Sequence, residues 1–262
     1  MKIKEIMVNR YIAKSKILGI DFVINPYVGC PNACRYCYAS FLSKLTGHDE
    51  EWGSYLDVKK TNYILKKVSV HNKTYLISSS TDCYNIYEKK YQITRKILEE
   101  LVKFHFNLII ATKNSLILRD IELLKQFNNL KVIISLFTLN DEVRLDLEKH
   151  SSITSRLNTL KTLHDNEIYT ILNISPIFPF ITDFKEIIMK TKDYVDEYNF
   201  EFLKLKNDYK RDILKYIKEK HSNYYLEYAK IYLLNDDTYF LNLKKDIIDY
   251  CEQNNICYKI EN

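Results

Sequence analysis

Asn25-Pro26-Tyr27-Val28-Gly29-Cys30-Pro31-Asn32-Ala33-Cys34-Arg35-Tyr36-Cys37-Tyr38-Ala39-Ser40 carries three cysteines with the spacing C-x3-C-x2-C, and its reading decides the fold. Three thiolates this close together make a metal site that lacks a fourth ligand. A cubic four-iron cluster takes one thiolate per iron, so three cysteines leave one iron open to a small molecule. A structural zinc site would instead need a fourth Cys or His at finger-like distance. The nearest histidines, His48 and His71, belong to no C-x2-C or H-x3-H pair. A noncatalytic binding module built on zinc or an iron-sulfur cluster is the alternative reading.

The rest of the composition fits a metalloenzyme of a reducing compartment. At 262 residues the chain can bury a substantial core as one domain. Hydrophobic residues make up 46% and charged residues 28%, which excludes a disordered tail. The net charge is +5, but lysines interleave with acids and form no concentrated basic stripe. Nucleic acid therefore gains no support as a partner from the charge pattern. No stretch approaches the roughly 18 apolar residues that span a bilayer, and the first six residues lack an apolar signal core. A cytoplasmic protein with no membrane partner is expected. Six cysteines, three of them clustered, suit a metal site better than a disulfide framework. All four glycines lie at or before Gly53, so no P-loop or dinucleotide fingerprint can be built later in the chain.

Short β-rich runs alternate with longer amphipathic stretches, the pattern of βα units around a parallel sheet. Six strands are expected: Phe22 to Tyr27, Thr74 to Ser79, Asn107 to Thr112, Lys131 to Phe137, Ile168 to Ile174 and Phe200 to Leu205. Helical spacing relates Tyr87, Tyr91, Thr94, Leu98 and Leu101, then Ile153, Leu157, Leu160 and His164, then Phe184, Ile188, Tyr194 and Tyr198. Beyond about Asn207 the pattern is helical, and half of the 22 tyrosines lie after Asp193. Ligands of βα sheets gather at the carboxyl ends of the strands, where this chain places polar residues. The cysteine loop follows the first strand, Ser78 to Asp82 the second and Thr112-Lys113-Asn114 the third, with Ser135 ending the fourth and Asn173 and Ser175 the fifth. A lysine at the end of an apolar strand needs a partner, whereas Ser or Thr there can equally cap the next helix.

With Tyr36 just before the last cysteine, the loop resembles the signature of radical S-adenosylmethionine (SAM) enzymes. The string of motifs from about Asp21 to Asp183 resembles the spore photoproduct lyase-like branch. It comprises Asn-Pro-Tyr-x-Gly-Cys, Thr81-Asp82-x-Tyr84 followed by Glu88, Thr94-Arg95 with Ile97-Leu98-Glu99, Thr112-Lys113, Arg119-Asp120, and Arg156-Leu157 before a strand ending in Pro-x-x-Pro. The resemblance implies a four-iron four-sulfur (4Fe-4S) cluster on Cys30, Cys34 and Cys37, with SAM chelating the open iron. One electron, from a reductant such as flavodoxin or ferredoxin, would cleave SAM to a 5'-deoxyadenosyl radical that takes hydrogen from an unidentified substrate. It also implies that Ser80 and Asp82 contact the amino acid part of SAM, Lys113 its carboxylate, and Ser135 its ribose or carboxylate. Asn173 would face adenine and Arg156 would pair with a ligand carboxylate, although an arginine on an exposed helix face is ordinarily solvated. Asp82 has a competing task as cap of the helix near Tyr87, and Glu88 with Arg119 can brace the barrel rim.

Two departures limit what carries over. Spore photoproduct lyases have a hydrogen-donating Cys where this chain has Ser79, which disfavours DNA repair as the reaction. Cys83 is a candidate hydrogen donor in an altered geometry, with a small buried residue as the preferred reading. The family's Glu-Pro after the fourth strand becomes Glu148-Lys149-His150. Cys251 and Cys257 read as core residues, and His150 has no triad partner. The expected fold is α/β: a partial (β/α)6 TIM-like barrel over residues 1–206, closed by a helical C-terminal region, 207–262, in a single domain.

Overall fold

Short apolar, β-branched runs set the sheet. The computed structural model describes residues 1–61 and 72–261; His71, one candidate zinc ligand, lies outside them. The strands are β1 (Lys2–Met7), β2 (Ile12–Lys14), β3 (Phe22–Ile24), β4 (Tyr27–Val28), β5 (Tyr55–Lys60), β6 (Thr74–Ile77), β7 (Asn107–Thr112), β8 (Leu130–Ser135), β9 (Tyr169–Ile177), β10 (Glu197–Phe202) and β11 (Tyr258–Glu261). The helices are α1 (Leu42–Leu45), α2 (Glu88–Tyr91), α3 (Ile93–Leu101), α4 (Ile121–Leu124), α5 (Asp141–Leu147), α6 (Ile153–Asp165), α7 (Phe184–Thr191), α8 (Asn207–Lys220), α9 (Tyr225–Leu233) and α10 (Thr238–Gln253).

Seven strands, β3 and β6 to β11, pair in parallel in chain order, and β2 runs antiparallel outside β3. Among the described residues β2 and β11 do not pair, so the barrel is partial. Tyr75, Ile77, Leu108, Ile110, Val132, Ile134, Leu172, Ile174 and Phe200 face the helical layer. There they pack with Ile97, Leu98, Leu160, Leu163, Ile187 and Ile188 in the main core. Burying each such side chain contributes about 1.5–3 kcal/mol, and a slip of one residue would turn the whole set to the other face. Register is fixed by that cost. A separate sheet of β1, β5 and β4 flanks the cysteine loop.

Several element boundaries differ from those the sequence suggests. The first barrel strand stops at Ile24 rather than Tyr27, because Pro26 has no N–H to donate and Tyr27 crosses to the small sheet. β10 starts at Glu197, so Tyr198 is a strand residue, and Tyr194 lies beyond the end of α7. A seventh parallel strand, β11, extends the expected six. The helix expected through Tyr87 to Leu101 breaks at Gln92, with φ +52°. The Glu88 carboxylate accepts from the backbone N–H of Thr94 at 3.1 Å and Arg95 at 3.3 Å. These are orphan donors of the first turn of α3, satisfied by a buried anion.

A second core unites α8 and α9 with the cysteine loop. Ile213, Tyr216, Ile217, Tyr228 and Tyr232 pack with Phe137, Leu147, Phe178, Leu203, Cys34 and Tyr36. Tyr228 donates to Pro179 O and Tyr232 to Leu203 O, both at 2.9 Å, which satisfies their buried hydroxyls. Cys251 is buried in the main core, whereas Cys257, also expected in a core, is exposed just before the edge strand. Among the described residues no helix is long and apolar enough to cross a membrane.

Candidate active site

The cysteine loop leaves β4 through Gly29, at φ +83°, where a Cβ would come 2.6 Å from the backbone oxygen of Tyr55. On its far side Ala33 has φ +48°, and a Cβ on Gly53 would meet the Ala33 Cβ at 2.3 Å. Glycine is therefore required at both positions to bring the loop against the small sheet. Cys30 and Cys34 are buried and Cys37 is half-buried. Burial pushes all three thiols up; at Cys34 the Glu148 carboxylate adds to this, and the Lys113 ammonium offsets part of it. Iron binding deprotonates a coordinating thiol outright, so two buried thiols and a half-buried one beside a lysine fit an iron-sulfur cluster. Among the described residues no three His, Cys, Asp or Glu side chains converge on one ion position, and a cluster with one thiolate per iron does not require it. The zinc alternative loses its described fourth ligand: His48 has one ring nitrogen 3.1 Å from Glu50 and the other 2.9 Å from Asp57.

Arg35, between Cys34 and the aromatic spacer Tyr36, reaches α8. Its Nε and Nη2 donate to the two carboxylate oxygens of Asp212 at 2.8 and 2.7 Å, the forked geometry only arginine offers. The guanidinium also lies 5.2 Å over the Tyr216 ring.

Behind the loop sits a buried charge triad that the sequence reading did not assemble. Glu148, 1% exposed, accepts from Lys113 Nζ at 2.7 Å, from Arg156 Nη2 and from the Tyr36 hydroxyl. Burial pushes its carboxyl up, but Lys113 and Arg156 outweigh this and hold it at about 2. Arg156 is not on a solvated helix face: it is 0% exposed. It also donates to Ser135 O and Ser151 O, both at 3.0 Å. Tyr36 packs edge-on against Phe137 and Phe178, with centroids 5.5 and 5.6 Å apart. The aromatic spacer thus links the loop to both the apolar core and the triad.

Asp82 is the hub of the neighbouring strand ends. Its carboxylate accepts from Thr112 Oγ1 at 2.6 Å, Asn114 Nδ2 at 2.7 Å, Asn32 Nδ2 at 2.9 Å, and the backbone N–H of Tyr84 at 2.9 Å and Lys113 at 3.0 Å. Its capping bond goes to Tyr84, in a turn before α2, and not to the helix itself. Ser80 is held through its backbone N–H, which donates to Asn25 Oδ1 at 3.1 Å. Ser135 and Asn173 are neighbours in register on β8 and β9, and the Asn173 Oδ1 is buried without a partner. Glu88 and Arg119 pair at 3.0 Å, with Asp120 and Arg95 beside them, as a brace under the rim.

The Radical SAM superfamily model matches residues 24–191, the span that holds the loop, the triad and the hub. This chain belongs to the radical SAM superfamily. It is 33% identical over 261 residues to an uncharacterized protein of Methanocaldococcus jannaschii, covering 99% of this chain and 96% of that one. Among solved structures it resembles spore photoproduct lyase with bound AdoMet and dinucleoside spore photoproduct, with a TM-score of 0.57 at 16% identity. That match covers 80% of this chain and 65% of the other. It also resembles SuiB of Streptococcus suis bound to S-adenosylmethionine, with a TM-score of 0.57 at 14% identity, covering 92% of this chain and half of that one. The chain therefore spans less than two thirds of each of these solved proteins, and the likeness is one of fold. As a radical SAM enzyme it has the partial barrel of its superfamily, with SAM and an iron-sulfur cluster as the implied cofactors.

Within this radical SAM barrel the structure gathers Tyr36, Asp82, Lys113 and Arg156 around the cysteine loop, with Ser135 bound through its carbonyl. Cys83 lies apart, fully buried in the main core, its Sγ 4.0 Å from Ala111 O. Glu148 was missed because its run, Glu148-Lys149-His150, resembles any polar helix end. Its signal was indirect: Lys113 and Arg156 are two cations drawn to the same strand ends, and they need an anion.

Proposed function

We propose that this enzyme holds a 4Fe-4S cluster on Cys30, Cys34 and Cys37, cleaves SAM reductively and abstracts hydrogen from a substrate at the carboxyl-end mouth of the barrel. The observation that carries this reading is the set of three thiols, two buried and one half-buried, on one glycine-shaped loop, with Cys34 and Cys37 within electrostatic reach of Lys113. When bound, the cluster would supply the single electron that breaks the sulfonium bond of SAM. Lys113 would orient the cofactor's carboxylate: its ammonium has three donors, of which Glu148 and Tyr36 take two. Arg156 acts through Glu148, fixing the anion that holds Lys113 in place. Asp82 sets the position of Lys113 through its backbone N–H and Asn25 that of Ser80, and Asn173 would offer an unpaired amide oxygen to the adenine amino group. Tyr36 seals the loop from water against Phe137 and Phe178.

Residues 1–206 would form the catalytic core and 207–262 the helical extension that closes it, with flavodoxin or ferredoxin as reductant in the cytoplasm. The repair reaction of the lyase is not carried over. Ser79 here is a tie, its hydroxyl accepting from Asn25 Nδ2 at 2.8 Å and its carbonyl accepting from Tyr38.

Anaerobic reconstitution tests the reading. About four irons with sulfide per chain, a cluster EPR signal on reduction, and 5'-deoxyadenosine from SAM with dithionite are expected, all lost in Cys34→Ala. One equivalent of zinc without sulfide, or no 5'-deoxyadenosine from a loaded chain, refutes it.

A further inference from the structure

The concave face of the sheet has two unlike walls. On the β3 to β8 side, strand alternation places Val23, Leu76, Ile109, Ala111 and Ile133 inward, all partly buried and outside both cores. On the β9 to β11 side the same alternation places Asn173, Ser175, Asn199, Glu201 and Glu261 inward, opposite to Tyr198 and Phe200 in the main core. Asn199 is only 6% exposed, yet its Oδ1 has no hydrogen-bond partner. Its register neighbour Asn173 has the same orphaned oxygen. Two residues further along β10, Glu201 accepts from Ser175 Oγ at 2.6 Å and stands beside Glu261 of β11.

Among the described residues neither Glu201 nor Glu261 forms an ion pair. Glu197, on the same face of β10 at the amino end, gives the contrast. It accepts from Lys131 Nζ at 3.0 Å, from Lys259 Nζ at 2.5 Å and from the Tyr169 hydroxyl at 3.2 Å. Like charges side by side on neighbouring strands destabilise a sheet, and a buried amide oxygen without a donor is costly. The fold therefore gains nothing from this wall. It lies toward the carboxyl ends of β9, β10 and β11, the same end of the parallel sheet at which the chain passes from β3 into the cysteine loop.

We propose that the Asn199, Glu201 and Glu261 wall is a substrate subsite for a cationic nitrogen group, ammonium or guanidinium, on a substrate whose aliphatic portion lies along the apolar wall. This rests on the radical SAM reading above and names its substrate class. Lys204 and Lys259 act on Glu261, but among the described residues neither pairs with Glu201 or Glu261, and Lys259 is taken by Glu197. A cationic group would supply N–H donors to Asn199 and Glu201 and leave the substrate's C–H bonds along the apolar side.

The test uses the full chain with its cluster loaded and S-adenosylhomocysteine in place of SAM, so binding is read without cluster reduction. The probes are n-butylguanidinium and its neutral isostere n-butylurea, followed by ligand-observed NMR. The guanidinium should bind at least tenfold more tightly than the urea, and Glu201→Gln should abolish that difference. Glu261→Gln, at an exposed position of the edge strand, gives the second reading should Glu201→Gln fail to fold, and should weaken the discrimination severalfold. Equal binding of the two probes overturns the proposal. So does a Glu201→Gln variant that loses affinity for S-adenosylhomocysteine as steeply as for the guanidinium, because the wall would then serve the cofactor. A chain that keeps the discrimination but makes no 5'-deoxyadenosine refutes the earlier reading alone.

Discussion

Glu148→Gln removes one charge and almost no volume from a site that is 1% exposed. Arg156, 0% exposed, and Lys113 then lose the anion between them. Removing one partner from a buried ion pair costs about 3–5 kcal/mol, because the remaining charge is left uncompensated. The acidity of the carboxyl gives a second route to the magnitude. Burial pushes it up, the two cations bring it from 4.5 to about 2, and that net preference for the charged form is about 3 kcal/mol. The two routes agree. In a chain of this size a loss of that order lowers the thermal midpoint by on the order of 10 °C. A depressed carboxyl contributes stability that is present above about pH 4.5 and is lost as pH falls toward 2. Thermal unfolding followed by far-UV circular dichroism at pH 7 checks the size of the effect, and urea midpoints through the acid range check its sign. A variant melting within about 2 °C of the wild type at pH 7 would refute the reasoning, since so small a change would mean that Glu148 is not the counter-ion of Arg156.

Gly29→Ala should lower cluster loading below half that of the wild type while leaving the far-UV spectrum unchanged, because the added methyl group meets the Tyr55 carbonyl at 2.6 Å; full iron content would count against the loop geometry. Asp82→Asn presents an amide to five donors and should cost at least about 2 kcal/mol, read as a lower urea midpoint, with an unchanged midpoint as the contrary result. Arg35→Lys keeps the charge but loses the fork. Its partly exposed pair with Asp212 contributes little to global stability, so amide exchange at residues 34–37 should quicken while the melting temperature hardly moves; unaltered exchange would argue against the tie.

How much was legible in the sequence depended on whether the signal was local. The parallel sheet was readable because Leu108 to Ala111 and Val132 to Ile134 are short continuous apolar runs, rich in β-branched residues, between amphipathic stretches, the local mark of strands covered on both faces. The cysteine loop was readable because its three cysteines lie within eight residues of one another. The break at Gln92 was not, since it is bought by Glu88, a residue outside α3 whose buried carboxylate acts on the helix end through space. Arg156 looked solvated because charge on a helix is usually exposed, and only the fold brings Glu148 to it. β11 is four residues long, and its partner β10 lies almost sixty residues earlier in the chain, with three helices between them. No window along the sequence contains both.

The bond between Arg35 and Asp212 joins residues 177 positions apart. On a ribosome adding about 5–20 residues each second, the cysteine loop emerges roughly 9–35 s before its clasp exists. During that interval Cys34 and Tyr36 lack the α8 side of their core, and the thiols are open to the cell's metal-delivery and oxidant chemistry alike. Cluster insertion is thereby set against a clock: iron arriving before α8 meets a pliable loop, and iron arriving afterwards must enter one already fastened from behind.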